Sequence, residues 1–178
     1  MPGPDLSNAD VQKTIETIEA PLKTLKVVRV KSFLESYWMM VIRNASREGF
    51  AHDTKPIRIS DQLAFWRENK DTMVAYVYLD EHDNPVAYAA LLLRDGKYWS
   101  TNAVHPSARG KGIGKAVLHH VIHNSPNDCD VWAQARKDNP AAVKEHNAVD
   151  WEVVNDPNNP NLNLFHTWHG RFVKKFNI

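Results

Sequence analysis

With Cys129 as its one cysteine in 178 residues, the chain can form no internal disulfide and offers no thiolate cluster for a metal. A reducing compartment suits it. Charge of either sign is equally short of excess: 22 Lys and Arg stand against 21 Asp and Glu, a net charge of +1, so no large field invites a polyanion. Nucleic acid is therefore a disfavoured partner. No stretch approaches the roughly 18 apolar residues of a membrane span, and no N-terminal segment joins basic residues to a short apolar run. A cytoplasmic protein with no membrane partner is expected. Glycine is scarce, with seven in all, and neither repeats nor low-complexity tracts occur. What is present, 43% hydrophobic and 24% charged residues, belongs to an ordinary globular chain of one-domain size.

In 7–21, Val11, Ile15 and Ile18 recur at helical spacing and Ser7 with Asp10 resembles a capping box, which predicts a helix ending at Pro21. Residues 1–24 are set apart as a tail and appended helix, and 25–178 as a single domain. "LKVVRVK" (25–31) alternates as a strand. A helix follows with Ser32 and Glu35 as a capping box and Phe33, Leu34, Tyr37, Trp38, Val41, Ile42 and Ala45 as its apolar stripe. A second starts near Ser60. Strands are predicted at 72–79, 85–93 and 97–104, joined by "DEHDN" and by the tight turn Asp95-Gly96. A helix to about residue 123, a strand at 130–136, a helix opening at Pro140, and two final strands complete the order. The sum is an α/β (α+β) fold: β-α-α-β-β-β-α-β-α-β-β after the N-terminal helix, with a mixed, mostly antiparallel sheet flanked by helices.

Three of the seven glycines, Gly110, Gly112 and Gly114, sit together in "AVHPSARGKGIGKAVL" between a strand and an amphipathic helix. Glycine admits positive φ and leaves its amide uncovered, so such a loop can aim several N–H groups at one anion, and the helix N-terminus behind it adds partial positive charge. Phosphate or pyrophosphate is the expected guest, with Arg109, Lys111 and Lys115 at the rim. The spelling excludes two familiar phosphate loops. Ala116 stands where a P-loop needs Ser or Thr, and the glycine spacing is not that of a dinucleotide fold.

The stretch resembles motif A of the GNAT superfamily, the acyl-CoA N-acyltransferases, in its Arg109-Gly110-Lys111-Gly112-Ile113-Gly114. "NPAAVKEHNAVDW" resembles the family's later motif, with Asn139, Ala142, His146, Asp150 and Trp151 at its marked places. The resemblance implies a GNAT-like fold and an N-acetyltransferase that moves an acetyl group from acetyl-CoA to a primary amine in a ternary complex. It implies that the pyrophosphate lies on the amides of 109–114, including Ile113. The pantetheine arm would meet Ala103 and Val104, and Asn139 would contact it or position the last helix. Ala142 belongs to the same cofactor-binding set. The partners implied are acetyl-CoA and an amine, on a small molecule or a protein; no metal is expected, and a homodimer is left open.

Two departures matter. His146 replaces the family's usual Tyr acid, and an imidazolium near pKa 6.5 donates more readily than a phenol near 10. His146 is thus the candidate catalytic residue. "WSTNAV" supplies Ser100, Thr101 and Asn102 where many relatives carry a carboxylate base. These gaps keep two other readings open: a GNAT-like module that binds acyl-CoA with weak chemistry, and an acyltransferase for a nucleic acid or aminoacyl-tRNA. Acceptor specificity is expected from 46–59 and from "NDPNNPNLN". His119 and His123, four apart on a helix, read as surface residues opposite the apolar stripe, with no carboxylate at helical spacing. His166 and His169 point to opposite faces of a strand.

Overall fold

A computed structural model describes residues 8–51, 54–126, 130–148, 152–155 and 158–168. Ser7, Cys129, Asp150, Trp151 and His169 lie outside these, as do His52 and Asp53. The elements run α1 (Asn8–Glu19), a 3-10 turn (Ala20–Thr24), β1 (Lys26–Arg29), α2 (Phe33–Ala45), α3 (Ile59–Asn69), β2 (Val74–Leu79), β3 (Pro85–Arg94) and β4 (Lys97–Val104). Then come α4 (Ile113–His123), β5 (Asp130–Arg136), α5 (Pro140–Ala148), β6 (Glu152–Asn155) and β7 (Leu162–Trp168). The order is the one expected from the sequence.

The seven strands form one sheet, β1-β2-β3-β4-β5-β7-β6, in which only β4 and β5 pair parallel. Alternation builds it. Along β2, Val74, Tyr76 and Tyr78 join one core with α4, while Ala75, Val77 and Leu79 join another with α2 and α3. Asp95 and Gly96, both at positive φ, make the two-residue turn between β3 and β4. On α4, Val117, Leu118, Val121 and Ile122 have no exposed surface, each burial stabilising by roughly 1.5–3 kcal/mol.

Two expectations about helix faces need correction. On α2 the buried residues are Ser36, Met39, Met40 and Ile42, whereas Leu34 is 57% exposed. The methionines at 39 and 40 and small Ser36 let the helix approach the sheet, with the Gln62 side chain of α3 donating to the Ser36 carbonyl (2.8 Å). That rotates the helix away from its most apolar stripe. Ser32 precedes α2, but its hydroxyl meets the Glu35 carboxylate and makes no cap to backbone. His119 is the second case. It is wholly buried, because α1 lies across α4 and contributes Ile15 and Ile18 to the core. Glu19, from α1, supplies the carboxylate that α4 lacks, with Oε1 3.1 Å from His119 Nδ1.

Candidate active site

Hydrogen bonding between β4 and β5 stops after Tyr98–Val131 and Trp99–Trp132. Both strands continue, to Val104 and Arg136, so they diverge and their facing backbone edges no longer pair with each other. The His105 amide donates to the Val86 carbonyl (2.7 Å). Alternation along β4 therefore turns the backbone of Ala103 toward β3 and that of Ser100, Asn102 and Val104 into the gap. A cleft of about 780 Å³ opens there.

The glycine loop forms one end of this cleft. Gly110 (φ 77°) and Gly112 (φ 75°) both take the left-handed conformation, and Gly112 is the N-cap of α4. No side chain caps that helix and its first turn holds no acidic residue, so its leading amides stay available to an anion. Arg109 and Lys115 line the cleft beside Gly110, Gly112, Ile113 and Gly114. Lys111 is exposed and does not line it.

The other end belongs to α5. Ala142 and His146 line the cleft with Asn139, whose Oδ1 accepts from the Ala142 amide (3.3 Å) and whose Nδ2 donates to the Gly49 carbonyl (3.3 Å). Asn139 therefore caps and positions α5 while tying it to the turn after α2. Two further bonds fasten that turn. Ser46 Oγ donates to the Val104 carbonyl (2.9 Å), and Arg136 donates to the Glu48 carbonyl (3.3 Å). So Ser46, Glu48, Gly49, Phe50 and Ala51 line one side of the cleft.

His146 is 4% exposed, stacked on Phe165 of β7 at 4.4 Å, with Nδ1 2.7 Å from the Ala142 carbonyl. Burial lowers its pKa to about 4. The ring is neutral at pH 7 with Nδ1–H donating to that carbonyl, so it stores no proton as an imidazolium.

Sequence reasoning missed Tyr88 and gave Thr101 no role beyond standing where many relatives carry a carboxylate. Their hydroxyls meet at 3.2 Å on the α2–α3 face of the sheet, where Thr101 lines both the main cleft and a second pocket of about 290 Å³. That pocket includes Arg43, Arg94 and Asp61, the last already paired with Arg58. Burial raises the Tyr88 pKa, so its phenol stays protonated. Alternation in "AYAALLL" and "WSTNAV" placed both residues on strands, but only the register across the turn brings them together.

Residues 38–151 match the acetyltransferase (GNAT) family. The chain belongs to that family, a class of acyl-CoA-dependent N-acetyltransferases. No curated protein sequence matches it. Among solved structures, spermidine N-acetyltransferase from Vibrio cholerae, in complex with CoA and spermine, aligns over 85% of this chain and 99% of its own, at 9% identity and TM-score 0.69. A phosphinothricin acetyltransferase from Sinorhizobium meliloti, in complex with AcCoA, covers 81% and 88% at 18% identity and TM-score 0.68. An N-acetyltransferase from Staphylococcus aureus Mu50 covers 82% and 98% at 16% identity and TM-score 0.66. At these identities the likeness is one of fold. No helix among the described residues is long and apolar enough to cross a membrane.

Proposed function

We propose that the protein transfers an acetyl group from acetyl-CoA to a primary amine by direct attack in a ternary complex. The observation that carries this is the uncapped, glycine-bearing N-terminus of α4 opening onto the same cleft as the diverging strands β4 and β5. The residues fit the co-substrate. The leading amides of α4, with Arg109 and Lys115, would hold its pyrophosphate. Backbone groups of Asn102 and Val104 would pair with its amide-bearing arm. Ser100 Oγ is buried in this wall without a partner among the described residues, which suits a hydroxyl waiting for an amide. The thioester supplies an activated carbonyl, so no covalent enzyme intermediate is needed.

Thr101 links the cleft to the smaller pocket, which is proposed to admit the acceptor. With Asp61 engaged by Arg58, the lining is left with Arg43 and Arg94, which favours an amine that also carries an anionic group. His146 is the side chain proposed to carry a proton from the attacking nitrogen to the leaving sulfur. Because it rests neutral, it serves as a relay and not as a stored acid.

Calorimetry with acetyl-CoA, CoA and ATP tests the cleft: micromolar binding of the first two without ATP supports it, and no binding refutes it. Thiol release with amino acids and with polyamines then tests the acceptor. Faster turnover of the amino acids is expected. The buried, neutral His146 and the absence of a carboxylate at 100–102 favour one rival, a binding module with weak chemistry. Tight acetyl-CoA binding without thiol release from any amine would establish that rival.

A further inference from the structure

The sequence "HHVIH" (119–123) sends its three histidines to different places. His120 turns to the sheet, with Nδ1 2.7 Å from the Tyr78 hydroxyl and its ring edge-on to Tyr76 at 4.6 Å. His119 and His123, one helical turn apart, face α1 instead, and their rings meet edge-on at 6.3 Å. There Glu19, the last residue of α1, sets its carboxylate 3.1 Å from His119 Nδ1. One donor atom from each of Glu19, His119 and His123 lies within 4.8 Å of the other two.

From this geometry we propose that Glu19, His119 and His123 form a binding site for a divalent transition metal of the zinc type, clasping α1 to the last turn of α4. Two imidazoles and one carboxylate make a known zinc donor set that leaves a fourth position for water. Ligand atoms around a tetrahedral zinc stand about 3.3 Å apart. The Glu19–His119 distance already meets this, and the third ligand is at the surface, where His123 can rotate inward at little cost. His119 would ligate as a neutral imidazole: Nδ1 turns its lone pair to the cation, the single ring proton sits on Nε2, and no net proton is released from this residue. His119 itself is 0% exposed, so one ligand is held by packing before any metal arrives. The site lies away from the acyl-transfer cleft and does not depend on the function proposed above.

The clasp has a structural consequence. Glu19 leads directly into the turn Ala20–Thr24, and a Cβ placed on Gly112 would stand 3.6 Å from Pro21 Cγ. Fixing α1 therefore fixes the segment that rests against the glycine loop.

Zinc titration of the chelator-stripped full chain, against a competing chromophoric chelator, tests the site. One zinc per chain at micromolar affinity or tighter is expected, with Tm raised by about 5 °C at saturation. Amide exchange across α1 should slow on adding zinc, and zinc-edge absorption should show two imidazole ligands. His123→Ala alters a surface residue and Glu19→Gln keeps its shape, so both variants should fold while losing at least tenfold in affinity. His82→Ala, an exposed histidine elsewhere, should bind zinc as the wild type does. Substoichiometric zinc, or equal affinity in His123→Ala and wild type, would overturn the proposal.

Discussion

At one end of the cleft, residues 109–114 present their chemistry on exposed backbone, two glycines at positive φ leading into an uncapped helix. At the other end, His146 holds its chemistry on a side chain packed under Phe165, with one ring nitrogen committed to its own helix. An anion site needs many weak donors aimed outward, so it is built from local conformation. Proton transfer needs one group at a set pKa, and that pKa is fixed by whatever packs over it from elsewhere in the fold. The ends should therefore respond differently to mutation.

The largest effect is expected at the glycine loop. Gly112→Asp puts a side chain at φ 75° and a negative charge where an anion is to bind, and should weaken acetyl-CoA binding about 1000-fold, near 4 kcal/mol. Lys111→Ala, at the exposed position outside the cleft, should change affinity by no more than about threefold. If calorimetry finds the two variants alike, the backbone account of this end is wrong.

His146→Phe should leave that affinity within about twofold while lowering turnover about 100-fold, the usual scale of a lost proton-transfer group. Equal turnover would assign His146 to packing alone. The same variant checks its protonation. The folded pKa of about 4 lies below the unfolded value of 6.5, so the unfolded chain binds the extra proton. Stability from this residue is complete above pH 6.5 and is lost as pH falls toward 4. Between those limits His146→Phe should lose roughly 3 kcal/mol less than wild type in denaturant titrations. An identical acid profile would mean that His146 is not held neutral.

The same contrast explains what could be read in the sequence. The glycine loop was legible because spelling sets its conformation: glycines, a helix start behind them and no capping acid are all neighbours in the chain. The order of elements along the chain was legible for a similar reason, since alternation and Asp95-Gly96 act locally. The protonation of His146 was not, because Phe165 lies on another strand and only tertiary packing places it over the ring. His119 failed in the same way, read as a surface residue because nothing in α4 announces that α1 will cover it. The face of α2 was misread because Ser36 is buried for closeness of approach, a demand made by Gln62 of α3 and not by hydrophobicity. Element order and the conformation of the glycine loop follow from short-range rules, whereas pKa values and helix faces follow from contacts made at a distance.

The smallest effect expected lies between the two ends and tests whether the wall joining them takes part in binding. Ser100 Oγ is buried on the diverging part of β4 without a partner among the described residues, a state that costs about 1–3 kcal/mol. Ser100→Ala removes that unmet group and should raise the stability of the ligand-free protein by up to about 1 kcal/mol. If the hydroxyl pairs with the cofactor arm, the same change should weaken acetyl-CoA binding about fivefold. Opposite signs in the two measurements are the signature of a polar atom kept unsatisfied for a ligand. A gain in stability with unchanged affinity would instead confine recognition to the glycine loop and leave this wall as shape alone.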